Sequence, residues 1–201
     1  MRAPHTPHLP QPRPWSPLTD AEFYALLPYL LPRSPQGRPI RELRARVDAI
    51  FHIACTHAPW AALPAHFGKP DTASRYFRRL THAGLWQRLL HALAEAAPGH
   101  PLRAIEHFIC RAARRAHRIL GLPLILLIRR LDLRRALPGP PWLLPDPLLS
   151  ETLAAVKIAP PPPGEYGHKT RHARLLATLR RLHRDAAGRR RIPRSVRLAW
   201  A

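Results

Sequence analysis

Cysteine is nearly missing from this sequence. The two present, Cys55 and Cys110, lie in apolar, helical-looking contexts and match neither a disulfide framework nor a paired metal motif, which fits a reduced, cytoplasmic protein. Long apolar runs are missing too. The longest, "ILGLPLILLI" from Ile119 to Ile128, has ten residues and a proline. About twenty are needed to cross a bilayer, so no transmembrane segment is expected. The opening "MRAPHTPHLPQPRPW" lacks the apolar core of a secretory signal. No G-x-S-x-G, Walker A or dinucleotide fingerprint occurs, which leaves hydrolase, nucleotide-binding and dehydrogenase chemistry without support. Strand-like alternation is almost absent, so the fold class is all-α.

Carboxylates are the other scarcity. Twelve Asp and Glu stand against 33 Lys and Arg, a formal net charge of +21 in 201 residues. Such an excess favours a polyanionic partner, nucleic acid or an anionic membrane surface, and says nothing about fold. Arg outnumbers Lys thirty to three amid abundant Ala and Pro, as GC-rich coding DNA also tends to produce. A nucleic-acid partner is still the stronger reading. The positive charge thickens along the chain, from three basic and two acidic residues in 1–36 to eleven and two in 158–201.

Residues 1–17 hold six of the 26 prolines and read as a disordered proline-rich arm. Order is expected from Leu18. In "LTDAEF", Thr19 is an N-cap with Glu22 three residues on, a capping box, and Leu18 and Phe23 occupy hydrophobic-staple positions. The helix that follows runs to Leu30 or Leu31, with Pro28 inside it. Beyond the loop "PRSPQGRP", Ile40, Leu43, Val47, Ile50, Phe51 and Ala54 form the stripe of a second helix. "WAALPAHF" suits one or two helical turns, and "GKPD" a tight turn. Asp71 or Thr72 then caps a helix to about Thr81. Gly84 breaks the chain before "LWQRLLHALAEAA". Residues 18–97 thus make a helical domain large enough for a core, with Trp60, Leu63, Phe77, Leu80 and Trp86 holding its helices together.

Residues 100–157 form a further helical region. Leu102, Ile105, Ile109, Ala112, Ala116 and Ile119 line one face, and Arg103, Arg111, Arg114, Arg115 and Arg118 cover the others. A short helix within Leu124 to Leu133 and a last one capped by Ser150 follow. Residues 158–201 are a basic tail in which the stiff linker "PPPPG" precedes a basic helix ending near Gly188. The run "GRRR" there suits a nonspecific grip on phosphates.

The most specific local pattern has helix-turn-helix proportions: a short helix around Leu63, a turn at Gly68 to Pro70, and a helix from Thr72. In that geometry the second helix enters the major groove and its first residues reach base edges. Ala73, Phe77 and Leu80 face the core, flanked by Tyr76. Thr72, Ser74, Arg75, Arg78 and Arg79 face outward, where hydroxyls and guanidinium groups suit phosphate oxygens and guanine edges. The plainer alternative is a helix whose arginines only meet water. Arg38, just after the loop, is a candidate minor-groove or phosphate contact.

Several elements in fixed order make residues 18–93 resemble the N-terminal domain of insertion-sequence transposases of the DDE class. The order is "LTDAEFYALLPYLLP", "GRPIRELRARVDAIFHIACT", "PWAALPAHFG" and "TASRYFRRLTHAGLWQRLLHAL". One departure is "RYFRRL", where the aromatic–arginine phase is shifted and a leucine replaces a common tryptophan. The resemblance implies binding of double-stranded DNA at terminal inverted repeats, in a bacterial, nucleoid-associated setting. It does not extend to catalysis. DDE chemistry needs three carboxylates holding two metals on an α/β fold. Past residue 100, Glu106, Asp132, Asp146, Glu151, Glu165 and Asp185 sit in helical or proline-rich flanks, without the strand–helix alternation of a catalytic sheet. No catalytic residue, cofactor or metal site is therefore assigned, and a separately encoded catalytic transposase subunit becomes a candidate partner, with a homodimer as a further arrangement. Among the 13 histidines, the groups His52/Cys55/His57, His107/Cys110 and His168/His172 fall short of the roughly four convergent ligands of a zinc site. Two alternatives stand beside this reading: a membrane-surface or scaffold protein using basic helices at 102–120 and 171–187, and a decayed transposase fragment.

Overall fold

The computed structural model describes residues 13–30, 40, 42–160, 168–189 and 191–200. Among them are ten α-helices and no strand, the all-α class that the missing alternation predicts. They fall into two compact units, one ending at Pro138 and the other formed by Gly139–Trp200.

The first unit holds α1 (Asp20–Leu30), α2 (Leu43–Thr56), α3 (Pro70–His82), α4 (Leu85–Glu95), α5 (Pro101–Ala104), α6 (Glu106–Leu120) and α7 (Leu122–Arg130). The start of α1 is a reciprocal capping box. The Thr19 amide donates to Glu22 Oε2 (2.8 Å) and the Glu22 amide to Thr19 Oγ1 (3.3 Å), which satisfies two otherwise orphaned donors. Burial raises the pKa of Glu22, but the hydrogen bonds from Arg13 and Thr19 outweigh it and the net shift is downward. The Leu18 amide donates to Asp48 of α2 (3.0 Å), and Arg44 reaches both Asp20 and the Leu18 carbonyl. The arm expected over residues 1–17 is described only from Arg13. There Arg13 pairs with Glu22 and lies 4.7 Å from the Phe108 ring centre, while Trp15 meets His52 and Phe67 edge-on.

Between α2 and α3 the sequence suggests one or two helical turns, and two separate 3₁₀ turns form, Trp60–Ala62 and Ala65–Phe67. Pro64 explains the break. It has no amide to donate, and it forces Leu63 into an extended conformation, ψ 126°. The start of α3 also differs from expectation. Neither Asp71 nor Thr72 caps it; Lys69 is the N-cap residue, without a side-chain hydrogen bond, and Pro70 takes the first turn. Proline suits that place because its missing amide would be unpaired there anyway.

Leu26 and Leu30 of α1, Val47, Ile50 and Phe51 of α2, Leu80 of α3, and Leu85, Trp86 and Leu89 of α4 line a common apolar interior. A neighbouring cluster joins Ala49, Ile53, Leu63 and Ala73, with Trp60 and Phe67 packed against it. Leu63, Phe77, Leu80 and Trp86 are buried, as their apolar spacing predicts, and Trp60 is half-buried against Phe77 at 5.6 Å. Helix α6 packs on α2, α3, α4 and α7, so residues 101–138 share a unit with 18–97. The continuous helix expected from Leu102 breaks at Ile105, and Ile119 of its apolar stripe is exposed.

In the second unit α8 (Pro147–Ala154) packs on α9 (His168–Ala187), and α10 (Arg194–Ala199) follows Pro193. Asp146 caps α8, accepting from the Leu149 amide at 3.1 Å, and Ser150 lies inside the helix. An aspartate followed by proline outcompetes serine as the start, since Asp accepts strongly and Pro fits N1. Gly188 closes α9 at φ 70°. A Cβ there would come within 2.6 Å of the Leu144 carbonyl carbon, so only glycine fits.

The α3–α4 corner turns on Gly84 at φ 75° and on a buried relay. Trp86 Nε1 donates to Thr81 Oγ1 (2.8 Å), which donates to the Phe77 carbonyl (2.8 Å). Thr81→Val removes the acceptor of a buried indole, at an expected cost of about 1–3 kcal/mol in chemical denaturation. Thr56→Val removes an exposed hydroxyl bonded to the His52 carbonyl and should stay within about 0.5 kcal/mol of the parent. Equal costs for the two variants would rule out the relay as a source of stability.

Candidate nucleic-acid interface

Helix α3 separates its residues sharply by face. Ala73, Tyr76, Phe77, Leu80 and Thr81 are buried, which a helix achieves by spacing them three and four apart. Thr72, Arg75, Arg78 and Arg79 are exposed and Ser74 is half-buried at the edge. The three arginines and Thr72 thus share one open face. Arg38 lies outside the described residues.

Two of the arginines are held along the helix. Arg75 Nε pairs with Asp71 Oδ2 at 2.9 Å, with both side chains largely exposed. Such a pair contributes only about 0–1 kcal/mol, so Arg75 can exchange Asp71 for another oxyanion at little cost. The Arg79 guanidinium lies 5.1 Å from the Tyr76 ring centre, and Arg46 of α2 lies 5.8 Å from the same ring. A flat guanidinium resting on an aromatic face loses less freedom when it forms a directed contact. Burial raises the pKa of the Tyr76 hydroxyl against the pull of these two cations. Arg46 was not among the residues the sequence singles out for this face. It sits off the apolar stripe of α2, and only the packing of α2 on α3 brings it to Tyr76. Arg44, beside it in sequence, is instead used up at the start of α1.

Trp60 joins this helix to α6. Its ring meets Phe77 at 5.6 Å, and the Arg115 guanidinium lies 4.7 Å from its centre. Arg115 also donates to the Ala58 carbonyl (3.2 Å). His107 and Cys110 of the first unit lie in the interior. Burial pushes the Cys55 and Cys110 thiols up to about 12, so both stay protonated at neutral pH. No group of three or more His, Cys, Asp or Glu among the described residues is placed to hold a metal ion. No helix among them is long and apolar enough to cross a membrane.

Residues 18–90 match a family model described as "Putative transposase of IS4/5 family". The match falls on α1 to α4, and its N-terminal position is that of an N-terminal transposase domain. No curated protein and no solved structure shows significant similarity to the chain.

His107 gives the unit a pH dependence. Burial, together with the charges of Arg111, Arg114, Arg135 and His57, pushes its pKa down to about 4, from 6.5. Between those values the unfolded chain binds the proton and the folded chain does not. The stability contribution is therefore full above about pH 6.5 and lost as pH falls toward about 4, on the order of 3 kcal/mol in all. His107→Gln keeps an acceptor for Arg111 and should flatten melting temperature against pH in that window. An unchanged slope would mean that other groups carry it.

Proposed function

We propose that this chain binds double-stranded DNA at the ends of a mobile element, with α3 as the recognition helix of a helix-turn-helix. The observation that carries the reading is the open face of α3, three arginines and a threonine mounted on a helix whose other face is locked into the core. That face belongs to the segment matching the transposase family. Rigid mounting matters because base readout needs side chains held at fixed register on the groove, while phosphate contacts set that register. The two 3₁₀ turns and Gly68 take the place of the first helix and turn, and Thr72, Ser74 and Arg75 occupy the end of α3 that would enter the groove first.

Strand cleavage we assign to a separately encoded subunit. The described residues beyond the matched segment build helices, whereas two-metal DDE chemistry is mounted on a sheet. On this reading the chain works in the bacterial cytoplasm, at the nucleoid when bound, and Arg38 adds a contact beside the groove. The membrane-surface alternative loses one of its two helices, because the apolar face of α6 is spent in the core: Phe108, Ile109, Ala112, Ala113 and Ala116 are fully buried.

The test is a selection of duplexes from a random pool with the full chain, followed by titration of the enriched and a scrambled duplex. The parent should prefer the enriched duplex, with affinity falling steeply as salt rises. The Arg75→Ala/Arg78→Ala/Arg79→Ala variant should lose that preference, at about 1–3 kcal/mol per lost base contact. Retention of the preference by the variant would remove α3 from the recognition role.

A further inference from the structure

The second unit carries twelve Lys and Arg against four Asp and Glu in residues 139–200. Helix α9 gathers many of them: Lys169, Arg171, Arg174, Arg180, Arg181 and Arg184 stand beside a lone carboxylate, Asp185, within its 20 residues. All six cations are exposed. The shielded positions of the helix are His172, Leu176, Leu179, Leu182 and Ala186, three and four apart as one helix face requires. Helix α8 packs on α9, and its Leu153 is buried. Arg174 and Arg181 lie two turns apart along the helix, and Arg184 follows three residues later, so the three share the face turned away from the shielded stripe. Ala177, between the first two on that face, is exposed and too short to screen them.

Two polyanions attract such a helix, a membrane surface and a nucleic-acid backbone. A helix that lies on an anionic membrane needs a wide apolar face free to enter the lipid. Of the four leucines of α9 only Leu175 is exposed; the other three belong to the shielded stripe. What the helix offers outward is charge. Each phosphate that an exposed guanidinium neutralises releases condensed counterions from a duplex, which is the driving force of backbone binding. From Arg174 to Arg184 the stripe runs about 15 Å at a rise of 1.5 Å per residue. That length meets several phosphates, since each strand carries one charge per about 3.4 Å of duplex axis. Contacts of this kind go to the backbone and carry no base readout.

We infer that Arg174, Arg181 and Arg184, on the outer face of α9, make the second unit a sequence-independent binding surface for the phosphate backbone of duplex DNA. The choice of DNA as the polyanion rests on the proposed function; the basic face itself does not. Both units belong to one chain, so a backbone grip by the second raises the local concentration of duplex around the first. The second unit then supplies affinity for any sequence, and α3 supplies the preference for one.

The experiment uses the full chain and its Arg174→Gln/Arg181→Gln/Arg184→Gln variant, each titrated across a salt series with labelled duplexes, a random-sequence duplex being the principal probe. The variant should bind that duplex at least about tenfold more weakly, and its slope of log Kd against log salt should shrink by about two to three. Affinity for the enriched duplex should fall by the same factor, leaving the preference intact, whereas the α3 triple variant loses the preference. Weaker random-duplex binding by the α9 variant, with no preference in the parent, upholds the surface and rejects α3 as a reader. The Arg174→Lys/Arg181→Lys/Arg184→Lys variant keeps the charges and should keep the slope. If it binds as weakly as the glutamine variant, or if the glutamine variant equals the parent in affinity and slope, the inference is overturned. Vesicles of phosphatidylserine and phosphatidylcholine give the remaining outcome: vesicle binding lost in the glutamine variant, at unchanged duplex affinity, assigns the face to a membrane and also overturns it. Should the glutamine variant lose its helical circular dichroism, Arg181→Gln alone is expected to lower the slope by about one and is judged in the same way.

Discussion

The close approach of α6 to its neighbours is the constraint on which the first unit depends. Ala112, Ala113 and Ala116 are fully buried, beside Phe108 and Ile109. Small side chains let a helix lie near several others at once, and the aromatic residue supplies the contact area that alanine cannot. Phe108 meets Phe51 of α2 with ring centres 5.7 Å apart. Around that seam α2, α3 and α4 take fixed positions, so the outward face of α3 is placed by residues more than thirty positions further along the chain.

Rigidity on the inner side of α3 is what turns a charged helix into an oriented one. Phe77 lies between Trp60 and Trp86, at 5.6 and 5.5 Å, and the Thr81 hydroxyl joins the end of α3 to the start of α4. Its outer side carries cations restrained, among the described residues, by Asp71 and by the Tyr76 ring. On the proposed reading weak restraint is an advantage, since a strong internal ion pair would have to be broken before DNA could be bound. The first unit therefore holds cations in two ways, exposed along α3 and partly buried along α6.

The second unit is built by different means. Its helices are tied by backbone groups, the Asp146 amide donating to the Ala186 carbonyl (2.7 Å) and the Arg189 amide to the Leu143 carbonyl (2.9 Å). Gly188 permits that approach, and Trp142 and Trp200 meet edge-on at 6.0 Å. Helix α9 buries little besides Ala186 and leaves Leu175 exposed, in keeping with a sequence in which arginine and leucine alternate without a wide apolar face.

Local signals were legible wherever a few neighbouring residues decide the outcome. "LTDAEF" determined the capping box, the spacing of Ala73, Phe77 and Leu80 determined which face of α3 is buried, and Gly84 and Gly188 marked the ends of helices because only glycine tolerates positive φ at no cost. Competing local signals were resolved only by structure: Pro64 split a helix that apolar spacing allowed, Pro70 took the start that Asp71 or Thr72 was suited to cap, and Asp146 displaced Ser150. Tertiary packing alone decided the company that charged residues keep. Nothing in the order of the chain tells Arg44, which anchors α1, from Arg46, which reaches Tyr76. Nor does it show that His57 and Arg111 meet. Charge acts through space over several ångströms while sequence patterns report only neighbours along one helix, so the chain by itself determined that a basic, helical protein would form, and the packing of α6 determined where its cations gather.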